Sequence, residues 1–304
     1  MSPAPPKLFD RALVRKRLAR AAPVFDQADF LHRRAAQDAV ERLEAIMRDF
    51  PLAVDLSARR GAFCQALGQS DARARIGTVI EADFSGAMLA GRPGPRVVLD
   101  EERLPFAPAS LDLVISTLSL HWTNDVVGAL IQIRRALKPD GLFIGAFLGG
   151  STLFELRRSL IDAEAELTGG AGSRVSPFAD ASDAAGLLQR AGFALPVADV
   201  DRVNVRYAHP LKLMADLRQM AETNALAERH PRALTRTVLA RAFELYLERF
   251  GEPDGRVPAT FEILTLTGWA PHVSQQQPLK PGSAKMRLAD ALGVEENPLP
   301  RSED

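Results

Sequence analysis

The amino-acid sequence predicts an α/β protein built on a mostly parallel sheet with helices on both faces. Three observations carry that expectation. Short apolar runs alternate with helical stretches over 51–147, the pattern of strands buried on both sides and joined by helical crossovers. The first three of these runs place Asp55, Asp83 and Asp100 at successive strand ends. Two later apolar runs, 193–205 and 261–270, flank a helical stretch and add a late pair, giving seven strands.

Taken in order, 8–22 and 31–48 read as helices, the second with Ala39, Val40, Leu43, Ile46 and Met47 at helical spacing. Strands are expected at 51–56, 75–83, 95–100, 110–117 and 141–147, with helices at 60–68, 85–90 and 125–137 between them. Asn124 is expected to cap the helix that begins at Asp125. "LKPDG" at 137–141 reads as a helix stop followed by an Asp-Gly turn. The stretch 151–167 reads as a helix capped by Ser151 or Thr152, with Glu155 closing a capping box from Thr152. A long Gly-rich loop, 168–180, precedes helices near 181–191, 210–221 and 233–249. The tail from Gln275 is polar and Pro-rich, with one short helical stretch at 284–292. In domain terms this is an N-terminal helical extension over 1–50, a main domain over 51–270 with a helical insertion at about 209–250, and a polar C-terminal tail over 271–304.

Composition narrows the partners. With 38 basic and 38 acidic residues the formal net charge is zero, so no global field draws the chain to nucleic acid or anionic membrane. The basic run "RALVRKRLAR" from Arg11 to Arg20 reads as a solvated helix face, with a phosphate or lipid contact as the alternative. A single cysteine, Cys64, permits no internal disulfide and no multi-cysteine metal site, and its place beside Phe63 and Leu67 reads as core. No apolar stretch is long enough to span a bilayer and no secretory signal opens the chain, so the expectation is a cytoplasmic protein with at most peripheral membrane contact. The five histidines have no close helical spacing, so no metal site is expected.

The chemistry centres on "VDLSARRGAF" at 54–63, an apolar strand that ends in Asp55 and turns into a helix. In open parallel sheets, ligands bind beyond such strand ends, where helix-start amides are unpaired. Methyltransferases that use S-adenosylmethionine (SAM) place an acid–x–Gly–x–Gly turn there. Here Ser57 and Arg59 hold the two glycine positions and only Gly61 remains further on. Each added Cβ would cost about 1–2 kcal/mol if a left-handed backbone is kept. Asp83 is placed to accept hydrogen bonds from both ribose hydroxyls, and Asp100 to border the adenine. The segment "STLSLHWTND" at the fourth strand end would face substrate; His121 is a general base or substrate contact there, or a histidine packed beside Trp122.

"LFDRALVRKR", "LPFAPASLDLVISTLSLHWTND", "LKPDGLFIGAFLGGSTLFELRRSL", "SPFAD" and "DGRVPATFEI" together resemble the methyltransferase-like assembly factor family of respiratory complex I, from about Leu8 to about Gly268. The resemblance implies the class I methyltransferase (Rossmann-like) fold, a seven-stranded, mostly parallel sheet. It implies a protein substrate, a complex I subunit, whose arginine the family is credited with hydroxylating instead of methylating. Eukaryotic members of the family lie in the mitochondrial matrix. By position, Asp55, Ser57 and Gly61 fall in the family's "DLGCGRG" turn, Asp83 on its second-strand acid, Asp100 and Glu101 in its "ADEEFLPF" segment, and Ser119, His121 and Trp122 in "SLSLHW". The departure is "DLSARRG" at the turn that touches the cofactor. The expected activity is therefore SAM-dependent, with Asp55, Ser57, Gly61, Asp83, Asp100, Glu101 and Ser119 around SAM and His121 and Trp122 as catalytic candidates. The alternatives are a non-catalytic assembly scaffold that has lost cofactor binding, and a small-molecule or carrier-protein methyltransferase.

Overall fold

In the computed structural model, residues 7–230, 233–276, 286–287, 289–290 and 293–294 are described. Seven strands form one sheet: β1 (Phe50–Asp55), β2 (Ile76–Asp83), β3 (Arg96–Val98), β4 (Leu111–Thr117), β5 (Leu137–Leu148), β6 (Ala194–Tyr207) and β7 (Val257–Trp269). Their order is β3-β2-β1-β4-β5-β7-β6. All neighbours among β1 to β5 pair parallel, and β7 runs antiparallel to both β5 and β6.

Side-chain alternation explains the layers. In β1, Ala53 packs toward α2 (Phe30–Glu44) and α3 (Ala62–Leu67), whereas Val54 packs toward α4 (Val126–Ala136) and α6 (Ala181–Ala191). The same split separates Leu113 and Ile115 from Val114 in β4, and Leu142 and Ile144 from Phe143 in β5. Both faces of these strands are therefore covered, which is why they read as continuous apolar runs. A third cluster joins α5 (Phe154–Thr168), α7 (Pro210–Gln219) and α8 (Arg236–Phe250) to the start of β7, around the fully buried Tyr246, Phe261 and Ala259.

The N-terminal α1 (Arg11–Ala21) lies over the ends of the parallel strands. Asp10 caps it by accepting from the Leu13 amide at 3.0 Å. A fourth cluster places Val14, Leu18 and Phe25 against Phe84, Met88 and Trp122. The basic run is only partly a solvated face: Arg11 and Arg15 lie over the Phe84 ring, and Arg17 donates to the carbonyls of Thr223 and Asn224. That last contact straps α1 to the segment after α7.

Four local expectations are corrected. The segment 137–141 does not lie outside the fifth strand; β5 begins at Leu137, which pairs with Leu111, and the next pair is Leu113 with Leu142. Pro139 has no amide to donate, and Asp140 takes φ 62, so these residues bulge out while Lys138 grips Asp112 at 2.9 Å. The expected capping box is absent: α5 starts after Leu153 at φ 56 with no side-chain cap. Thr152 instead donates to the Gly149 carbonyl and Glu155 accepts from Thr260, because both are drawn into the buried junction with β7. The cap of α4 is Asp125, accepting from Gly128, while Asn124 is used to hold the backbone of Phe9. The stretch 85–90 forms only a 3₁₀ turn, Gly86–Leu89.

By contact grouping the chain forms two units, Met1–Pro271 and His272–Asp304. In the second, the His272 ring accepts from the Ser274 amide in a tight turn. The helix expected at 284–292 lies mostly outside the described residues.

Candidate functional site

The tip of β1 carries Asp55, fully buried, its carboxyl near the Ser57 amide but with no hydrogen bond of normal geometry. Burial, followed by the negative charges of Glu81 and Asp83, holds its proton on well above the usual carboxylate range. After it the chain turns through Leu56 to Gly61. Ser57 ties the turn to β4, accepting from the Thr117 amide at 2.9 Å and donating to the Thr117 carbonyl at 3.0 Å. Gly61 enters α3 at φ 84, a left-handed conformation that strains any residue with a Cβ, and a Cβ there would also push the Arg92 guanidinium aside. Arg92 in turn forks onto Glu81, with bonds of 2.8 and 3.0 Å to one oxygen.

Arg59 decides the character of this end. Its backbone keeps the left-handed conformation, φ 47, that a glycine would adopt freely. Its side chain folds inward, leaving the residue 2% exposed. Both its amide, at 3.0 Å, and its guanidinium, at 2.7 Å, donate to the same oxygen of Asp83. The Ser85 amide takes the other oxygen at 2.8 Å. Burial opposes the Arg59 charge, but Asp83 and then Glu101 hold it protonated above the ordinary guanidinium value.

The third strand end is closed in the same manner. Arg11 reaches across from α1 to Asp100, at 2.7 Å, and to Glu101. Glu101 is buried, and burial raises its pKa against the pull of Arg11 and Arg59. Ser119, also buried, meets Ser116 at 3.1 Å.

His121 and Trp122 turn the other way. The Leu148 amide donates to His121 Nδ1 at 3.4 Å, which assigns the proton to Nε2, and that nitrogen lies 2.9 Å from Glu222. Trp122 Nε1 donates to the same carboxylate at 3.1 and 3.2 Å. Beyond Glu222 opens a cavity of about 420 Å³ walled by Leu148, Leu153, Leu156, Leu160, Phe178 and Leu217. Several arginines border it, of which Arg174 is paired with Glu164 and Arg229 with Asp10.

Thus Asp55, Ser57, Gly61, Asp83 and Ser119 converge on the strand tips, Asp100 and Glu101 are bound to α1, and Trp122 borders the cavity with His121 behind Glu222. Sequence reasoning missed Glu222, which sits in a loop with no periodicity, and missed Arg11 as the partner of two acids. Among the described residues no group of three or more His, Cys, Asp or Glu side chains is placed to hold a metal ion. No helix among them is long and apolar enough to cross a membrane.

SAM needs a carboxylate for its ribose and an open turn for its methionine part. Asp83 has given one oxygen entirely to Arg59, and the Arg59 side chain lies in the turn. As these residues stand, they do not fit that cofactor.

The strand order, with only β7 reversed, defines the class I methyltransferase fold. Residues 54–145 match the family model described as a methyltransferase domain. The YcgJ protein of Bacillus subtilis has the same fold at TM-score 0.52 and 14% identity, covering 79% of this chain and 100% of that one. The proteins named arginine-hydroxylase NDUFAF5, mitochondrial, are much nearer in sequence: that of Danio rerio is 40% identical, over 93% of this chain and 89% of its own length, and that of Homo sapiens 41%, over 98% and 87%. A malonyl-[acyl-carrier protein] O-methyltransferase of Methylovorus sp. is 34% identical over 87% of this chain and 90% of its own. The chain belongs to the methyltransferase-like complex I assembly factor family, that of the arginine hydroxylase NDUFAF5.

Proposed function

We propose that this chain acts on a protein in the assembly of respiratory complex I, and that the side chain it receives is an arginine of a complex I subunit. The observation that carries the reading is the 40% identity, across 93% of the chain, to a relative named for arginine hydroxylation. The cavity supports it. Glu222 is the carboxylate that lines the cavity among the described residues; His121 and Trp122 together fill its Oε2, and Oε1, which accepts only from Trp122, can accept once more. A guanidinium arriving between leucine walls would lay its methylenes on apolar surface and donate one N–H to Glu222 Oε1. Here His121 and Trp122 orient the acid, a narrower role than the general base considered from sequence. The compartment proposed is the cytoplasm, counterpart of the mitochondrial one named for the relatives.

Whether the mark is a methyl group or a hydroxyl is part of the test. Mass spectrometry of complex I subunits from a strain lacking this protein should find one arginine peptide lighter by a single methylene or a single oxygen. Restoring the gene with Glu222→Gln should leave the mark largely absent. A second reading, a non-catalytic assembly scaffold, is favoured by the Arg59–Asp83 pair, and it predicts unmarked peptides together with a complex I assembly defect. A mark found on an acyl-carrier protein instead would favour the carrier-protein methyltransferase.

A further inference from the structure

We infer that Arg59 is a built-in occupant of the ribose position, so that SAM binds this chain only in competition with the Arg59–Asp83 ion pair. The inference rests on the methyltransferase fold of the site and concerns how that site is controlled.

Hydrogen-bond capacity at Asp83 sets the competition. A carboxylate offers about four lone-pair sites, two on each oxygen. One Asp83 oxygen already accepts from the Arg59 amide and the Arg59 guanidinium, and the other from the Ser85 amide. One site is left, whereas a ribose diol needs two. The side chain, rather than the turn, is the obstacle. Arg59 keeps φ 47 and Gly61 keeps φ 84, so the backbone retains the path that a glycine-rich turn follows. The next strand end supplies an independent sign that the site is built for a ligand. Asp55, fully buried a few residues before Arg59, faces the Ser57 amide without closing a hydrogen bond of normal geometry, and its carboxyl could accept from an ammonium such as that of the cofactor's methionine part. One half of a SAM site is thus intact and unsatisfied, and the other half is filled by the chain itself.

A ligand that must first displace an internal group binds more weakly by the fraction of molecules in which that group has left. Titration calorimetry of SAM into the full chain tests this, with Arg59→Gly and Arg59→Gln beside the wild type and circular dichroism to check folding. The wild type is expected to bind no more tightly than millimolar. Arg59→Gly is expected to gain at least about tenfold, and Arg59→Gln a smaller amount because it frees the charge but keeps the volume. Micromolar binding by the wild type would overturn the inference. So would the absence of any gain in whichever of the two variants folds. The arginine mark is read separately on complex I peptides, so a failure here leaves that reading standing, and a missing mark leaves this one standing.

Discussion

Around the tips of β1, β2 and β3 every acid but Asp55 is met by an arginine, whereas beyond β5 the wall is leucine and phenylalanine around about 420 Å³ of space. The first region is filled by charges whose partners come from distant parts of the chain: Arg11 from α1, Arg59 from the turn, Arg92 from the loop after β2. The second carries its charges at the border, where Glu222 gathers His121 and Trp122 and Arg17, Arg174, Arg218 and Arg229 line the space. Paired charges fix geometry because each has lost its water and depends on one partner. An apolar wall makes no such demand and leaves room for a guest. Charge at the strand tips is thus satisfied within the chain, whereas the cavity beyond β5 keeps unfilled space.

The strongest way to break that comparison is to remove one member of the inner pair. Asp83→Ala leaves the Arg59 guanidinium buried at 3% side-chain exposure with its main partner gone. The expected loss is about 3–5 kcal/mol in urea unfolding, and replacing both partners together, Arg59→Met with Asp83→Leu, should recover most of it. A neutral Asp83→Ala would mean that the tip is hydrated and the pair dispensable.

A smaller contrast sharpens the other side. Leu130 is fully buried between α4 and the sheet, whereas Leu160 borders the cavity. Leu130→Ala should cost about 4 kcal/mol and Leu160→Ala about 2, because a void added to a packed layer loses more contacts than one that widens existing space. Equal losses would show the cavity to be collapsed in solution.

The sheet was legible because the apolar runs of β1, β4 and β5, buried on both faces, look the same in sequence as in space, while β2 and the exposed edge strand β3 were read from the regular succession of runs. What defeated sequence reasoning was use of polar side chains over long separations. Glu155 at the second residue of α5 has the spacing of a local cap, yet Thr260, far along the chain, outcompetes it. Asn124 stands where a cap belongs, but the backbone of Phe9 claims it. The three strand-end acids were found from position alone. Their partners were not, since nothing near Arg11 in sequence points to Asp100. Arg59 was readable as an anomaly, because a bulky residue at a glycine position poses a question, but only the fold shows that its side chain turns toward Asp83.

The finest test concerns the one acid left unpaired. Burial, with Glu81 and Asp83 behind it, raises the Asp55 pKa in the folded chain. A carboxyl raised in this direction takes nothing from stability below its unfolded value near about 3.9, where both states hold the proton. As pH climbs above that value the unfolded chain ionises first and folding loses ground, until the folded pKa is passed. Asp55→Asn removes the titration while keeping the shape. It should therefore match the wild type near about pH 4 and become the more stable of the two as pH rises toward neutral, measured as urea unfolding across that range. If the variant gains the same amount at both ends, the effect is packing and Asp55 is not held protonated. If it gains only at the upper end, Asp55 is held neutral in the fold, and a cationic guest beside it would favour its ionised form.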